Sequence, residues 1–240
     1  PTRRSSDLII EAGYNSEVAI GKDSFKTFLD EYSRGFGNEK ISLDSKDFKI
    51  NSFRHAYLAD CQNLVLTLQD LIRSAKSCFS FFYKYLSKVE PLEKKDEVFW
   101  TSGEQILFVF ELAQSLFIKV ASALDIITKI YIELESLRDV SSYYTKMASN
   151  NVLYKSRRVT SFSTRGTVFE KNEDIVTLLA IRNEIIHNSS WDQPMKVYVC
   201  VEQGEIAERF ILMPDITTEG GLETLCNRKH FFAQGNKLNE

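Results

Sequence analysis

Apolar residues recur at three- and four-residue steps over two long stretches of this chain, a spacing that predicts two long amphipathic helices. The first covers residues 52–89, with Tyr57, Leu58, Cys61, Leu64, Val65, Leu68, Leu71, Ile72, Ala75, Phe79, Phe82 and Leu86 on its stripe. Pro91 is expected to stop it, because proline lacks the backbone N–H that a helix interior uses. The charged turn Pro91-Leu92-Glu93-Lys94-Lys95-Asp96 follows. Thr101 or Ser102 is expected to cap the second helix, residues 104–137, which carries Leu107, Phe110, Ala113, Phe117, Val120, Leu124, Ile127, Tyr131 and Leu134. Two long helices joined by a short connection form an antiparallel hairpin, the start of an up-and-down bundle.

A third helical pattern runs over residues 173–188, with Ile175, Leu178, Leu179, Ile185 and Ile186 on its apolar side. Asn172 is the expected cap, Glu173 and Asp174 suit the positive end of the dipole, and Pro194 forbids continuation. Val197, Val199 and Val201 then alternate. With Glu202-Gln203-Gly204-Glu205 as turn and 206–213 as return, residues 195–213 read as a β-hairpin. Weaker signals predict a short helix over 23–32, a strand over 41–50 and a last helix over 219–234. Residues 1–8 (Pro1-Thr2-Arg3-Arg4-Ser5-Ser6-Asp7-Leu8) match the translation of a common sequencing adapter and are expected to be non-native. The expected organisation is an N-terminal extension over 9–51, a helical domain over 52–194, and residues 195–240 as part of that domain or an appendage to it.

Composition narrows the chemistry. A net charge of −3 and a pI near 5.8 do not mark a nucleic-acid binder by bulk charge, so such a role must rest on a local patch. One such patch exists: between residues 151 and 169, Lys155, Arg157, Arg158 and Arg165 stand without an acid, with Tyr154 and Phe162 among them. It reads either as an RNA guide or as a solvated loop. Cys61, Cys78, Cys200 and Cys226 lie far apart, without C-x-x-C pairs or a histidine at ligand spacing, and read as reduced thiols of a cytoplasmic protein. In the helix over 104–137 the longest unbroken apolar run is five residues, Ile106-Leu107-Phe108-Val109-Phe110, against the roughly 18 of a membrane span. No membrane association is expected. No phosphate-loop, dinucleotide-binding or nucleophile-elbow motif occurs, and three histidines make a histidine-rich metal centre improbable on composition. Catalysis, if present, is expected to need neither metal nor cofactor.

Arg182-Asn183-Glu184-Ile185-Ile186-His187 closes the third helix. Helix ends commonly carry Arg or His for the dipole, which is the plain structural account. The hexapeptide also resembles the R-polar-x-x-x-H motif of HEPN domains, small all-helical domains of many prokaryotic toxins, phage-defence proteins and RNA-processing enzymes. Two long amphipathic helices and a basic connection ahead of the motif are similar to the family layout over residues 52–190. The resemblance implies a mainly α fold, an up-and-down helical bundle of HEPN type, here with a small C-terminal β-hairpin. It also implies a metal-independent endoribonuclease with Arg182, Asn183 and His187 as catalytic residues.

The residue types suit that chemistry. RNA is cut without a metal when its 2′-hydroxyl attacks the adjacent phosphorus, which needs a proton-transfer group active near neutrality. Histidine, with an ordinary pKa of about 6.5, is such a group. Arginine supplies a permanent forked donor for the charge that builds on phosphate. On an ideal helix Asn183 and His187 are neighbours, whereas Arg182 and His187 are about 140° apart. Family members pair two motifs across a two-fold cleft, so a homodimer with a composite site is expected, with Asn183 orienting His187 or touching phosphate. RNA is the expected partner, together with an antitoxin or other inhibitory protein. In the subgroup paired with a nucleotidyltransferase antitoxin a tyrosine stands two positions after the histidine. Ser189 is there instead, which puts that regulation in doubt. Asp125 reads as a solvated helix residue or as a buttress for the motif. The alternatives to a nuclease are a non-catalytic module that binds RNA, nucleotide or a partner protein, and a structural helical subunit.

Overall fold

The structure is a computed structural model that describes residues 46–91, 97–135, 172–225 and 229–240, with the single positions 167 and 170. Three helices dominate: α1 (Lys46–Leu86), α2 (Glu104–Glu135) and α3 (Glu173–Asn188). The strands are β1 (Val98–Thr101), β2 (Val197–Glu202), β3 (Glu205–Phe210), β4 (Thr224–Leu225) and β5 (Lys229–His230). The described chain is thus mainly α with a small antiparallel sheet. The expected helix at 23–32 and the basic stretch 155–165 lie outside the described residues, as does Cys226. Cys61, Cys78 and Cys200 are free and half-buried.

The covered positions among the described side chains of α1 are 57, 60, 61, 64, 68, 71, 74, 75, 78, 82, 85 and 86, a stripe at three- and four-residue steps. Leu58, Val65, Ile72 and Phe79 fall one heptad apart beside that seam and stay 62%, 45%, 44% and 52% exposed. The helix ends at Leu86, before Pro91, in a turn where the Val89 N–H donates to the Leu86 carbonyl at 3.1 Å. Its start corrects the expected strand over 41–50: residues 46–50 are already helical. The alternation of Phe48 and Ile50 was too short a signal to outweigh continuity with the helical seam.

At the next helix the N-cap is Gly103 and neither Thr101 nor Ser102. The Leu107 N–H donates to the Gly103 carbonyl at 3.0 Å, and Thr101 is spent in β1. α2 contains Glu104–Tyr131, 28 residues with mean hydropathy 1.7, which has the length and composition of a membrane-crossing helix, as core helices often do. Val109, Phe110, Ala113, Ala121 and Leu124 on it are buried.

The chain divides into two compact units, with boundaries between Leu66 and Thr67 on α1 and between Thr128 and Lys129 on α2. In the first, the Tyr57 hydroxyl donates to Glu133 Oε2 at 3.0 Å, and Glu133 is buried. Burial, with Cys61 and Glu133 beside it, pushes the Tyr57 phenol above its ordinary pKa.

The second unit holds one core. Phe82, Leu86 and Val89 meet Ile106, Val109, Phe110 and Ala113, Ile181 and Ile185 of α3, and Trp191. Val197, Val199, Val201, Ile211 and Met213 join the same cluster. Alternation accounts for this: β2 buries every second residue, and Val197, Val199 and Val201 are at most 2% exposed. The hairpin turn is Gln203-Gly204, with φ of 53° and 77°, matching the two-residue loop that tight hairpins favour. The hairpin is only two-thirds of the sheet. β1 pairs antiparallel with β2, giving the order β1-β2-β3 and the cross-strand row Trp100–Tyr198–Phe210.

Residues 219–234 are not a helix. They form the β4–β5 ribbon and a loop braced on α3, because Asp215 takes their backbone donors. Its carboxylate accepts the N–H groups of Ala233 and Gln234 at 2.9 and 2.8 Å. Gly220 seats the loop. It has φ of 81°, and a Cβ there would stand 2.7 Å from the Glu173 carbonyl oxygen. Gly220→Ala is therefore expected to cost about 2–4 kcal/mol, from the left-handed backbone and from displacing helix backbone. Urea denaturation of the full chain measures it, and a loss under about 1 kcal/mol would show that the loop yields freely.

Candidate functional site

α3 forms where the sequence places it. The Asp174 N–H donates to the Asn172 side-chain oxygen at 2.8 Å, so the cap is as read. Ser189 ends the helix in the left-handed region (φ 69°), its N–H returning to the Ile185 carbonyl. Gln114 of α2 donates to the Ser189 carbonyl at 2.9 Å and pins this terminus. Ile181 and Ile185 are buried in the core, so the polar positions between them point away from it.

Those polar positions divide between faces. Arg182 is half-buried and Asn183 exposed, and the Arg182 guanidinium donates to the Asn183 side-chain oxygen at 2.9 Å. The Asn183 side-chain oxygen therefore engages Arg182. His187 is exposed in the last turn. With Glu184 and Asn188, at three- and four-residue spacing from the same face, it lines a cleft of about 650 Å³. Arg182 and Asn183 do not line it.

The rest of the cleft comes from later in the chain. Ser189, Ser190, Trp191, Asp192 and Gln193 form one wall, and Lys229, His230 and Phe232 the other. Trp191 is 2% exposed, its ring centroid 5.5 Å from Phe110 and 5.8 Å from Phe117, and its indole N–H donates to the Leu212 carbonyl at 3.1 Å. Asp192 is buried and takes Lys196 Nζ at 2.7 Å.

His230 is the unexpected member. Its side chain is 3% exposed, and Nε2 stands 3.0 Å from Glu184 Oε1. That is ion-pair distance, while Nδ1 has no hydrogen-bond partner among the described residues. A buried donor or acceptor left so costs about 1–3 kcal/mol, which makes the position informative. The same Glu184 oxygen accepts the Asn188 side-chain N–H at 2.6 Å.

Sequence reasoning missed Glu184, Lys229 and His230. Glu184 lies inside the motif but at a position the resemblance leaves open. His230 carried one usable signal, its rarity as one of three histidines. Its neighbourhood was read as helix, which hid its approach to α3. Asp125 is half-buried on α2 and does not line the cleft. Among the described residues no three His, Cys, Asp or Glu side chains group as metal ligands. Compared with protein-family models, curated proteins and solved structures, the chain matches none.

Proposed function

We propose that this chain is a metal-independent endoribonuclease of HEPN type, of the toxin or phage-defence kind, acting as a homodimer with a composite site. The observation that carries this reading is the division of the motif. His187 is exposed on the rim of a polar cleft, while Arg182 sits on another face of the same helix against Asn183. One copy offers a proton-transfer group and a cation that do not converge, and a second copy related by a two-fold axis supplies the missing half. The heptad row of exposed apolar residues on α1 supports self-association.

In the reaction the 2′-oxygen attacks phosphorus and the P–O5′ bond breaks. The 2′-hydroxyl proton goes to His187 or its symmetry mate, and a proton returns to the leaving 5′-oxygen. The products are a 2′,3′-cyclic phosphate and a 5′-hydroxyl, and DNA resists because it lacks the nucleophile. Lys155, Arg157, Arg158 and Arg165 contact RNA phosphates in this reading, and their removal makes binding less salt-dependent.

The experiment incubates the purified chain with total RNA beside Arg182→Ala and His187→Ala, with product ends analysed. Equal cleavage by all three proteins, or none by any, sinks the nuclease. Light scattering tests the dimer, and a strict monomer that still cleaves removes the composite site. A non-catalytic module instead binds RNA undiminished after His187→Ala and leaves no cyclic phosphate.

A further inference from the structure

The charges around the cleft are unevenly spent. Of its two carboxylates, Asp192 is held by Lys196 at 2.7 Å, and Glu184 faces His230 at 3.0 Å and Asn188 at 2.6 Å. Lys229, a cation, and the His187 imidazole have no ion pair or side-chain hydrogen bond among the described residues. Lys229 therefore leaves a positive charge at the open part of the cleft that an anion can take. Its volume of about 650 Å³ falls within the range of small-ligand sites. Phe232, half-buried in the wall, offers an aromatic ring, and Ser190 and Gln193 offer neutral hydrogen-bonding groups. A ring, neutral polar groups and a free cation together match base, sugar and phosphate. His230 adds an independent indication of a ligand: a histidine side chain 97% buried in the wall, whose Nε2 meets Glu184 and whose Nδ1 has no hydrogen-bond partner among the described residues.

We propose that this cleft binds one RNA nucleotide within a single chain, Lys229 and His187 taking the phosphate, Phe232 the base, and His230 gaining a partner for Nδ1. The ligand class rests on the ribonuclease reading, and the residues on the cleft alone. Lys229 thus supplies on the His187 side of α3 the cation that Arg182, bonded to Asn183, does not. The ribbon carrying residues 229 and 230 becomes part of the substrate site.

The three histidines of the chain allow a direct test. Histidine ring signals of the full chain are assigned from His55→Gln, His187→Gln and His230→Gln, then followed by NMR during titration with each of the four ribonucleoside 3′-monophosphates and with inorganic phosphate. The His187 and His230 signals are expected to shift saturably with a nucleotide, more tightly than with phosphate. Lys229→Ala should raise Kd about tenfold, as for loss of one phosphate contact of about 1.4 kcal/mol, and Lys229→Arg should restore it. Lys229 is exposed, so its variants are expected to fold; an unchanged melting curve checks this. No saturable shift with any nucleotide up to about 10 mM, weaker than the millimolar range of marginal sites, overturns the site. So does equal affinity for phosphate alone, or a Kd indifferent to Lys229→Ala. RNA cleavage is scored separately. Nucleotide binding without cleavage removes the ribonuclease and keeps the site, whereas cleavage without nucleotide-induced shifts does the reverse.

Discussion

His187→Ala is expected to lower RNA cleavage by about 10³-fold, within the 10²–10⁴ range for losing a positioned general acid or base. His187 projects from the last turn of a helix capped by Asn172, packed through Ile181 and Ile185, and tied at its end by Gln114. Its removal leaves that scaffold intact because the side chain is exposed. The melting temperature should stay where it is while activity falls. Arg182→Ala should match the loss of rate, since in a composite site neither group works alone. Mixing the two inactive variants adds a sharper readout. If each site draws Arg182 from one copy and His187 from the other, mixed dimers regain part of the activity. If both groups act from one chain, the mixture stays inactive. Quantified single-turnover cleavage of a defined RNA separates these outcomes, and a His187→Ala enzyme within about threefold of the parent would remove the histidine from the mechanism.

Trp191→Ala carries the largest expected stability effect, a loss of about 3–5 kcal/mol. The residue follows Asn188, the last of α3, by three positions and packs against Phe110 and Phe117 of α2. Truncation leaves a cavity beside rings that cannot collapse into it, and strips the Leu212 carbonyl of its indole donor. Trp191→Phe restores ring contacts but not the N–H, and should cost about 1–2 kcal/mol. Urea unfolding at matched m-values reads both. Equal losses for the two variants would mean that the hydrogen bond, and not the packing, holds Trp191. Because this residue also lines the cleft wall, Trp191→Ala should cost activity even at temperatures where the chain remains folded.

Legibility of the fold followed the length of each periodic signal. α1 and α2 were readable because a dozen apolar residues at helical spacing leave no other register, and α3 because cap, dipole and stripe agree. The hairpin was readable because three valines alternate up to a Gln-Gly turn. Failures were short or non-local. β1 has four residues, and its identity as a strand depends on pairing with β2 almost a hundred positions later. The 219–234 region was misread because a buried aspartate, Asp215, organises its backbone, and side-chain acceptors leave no periodic trace.

The candidate site divides along the same line. Local spacing on one helix determined that Arg182 and His187 diverge, since about 100° per residue is a property of the backbone and needs no tertiary contact. It determined equally that Ile185 faces inward, whereas Ile186, expected on the same side, is 48% exposed and Ile181 is buried instead. Only the tertiary structure decided what His187 faces. A ribbon more than forty residues further along the chain returns to α3 and sets Lys229, His230 and Phe232 across from it, which no local pattern encodes. It also decided that Glu184, unassigned in the motif, is the residue through which α3 meets His230.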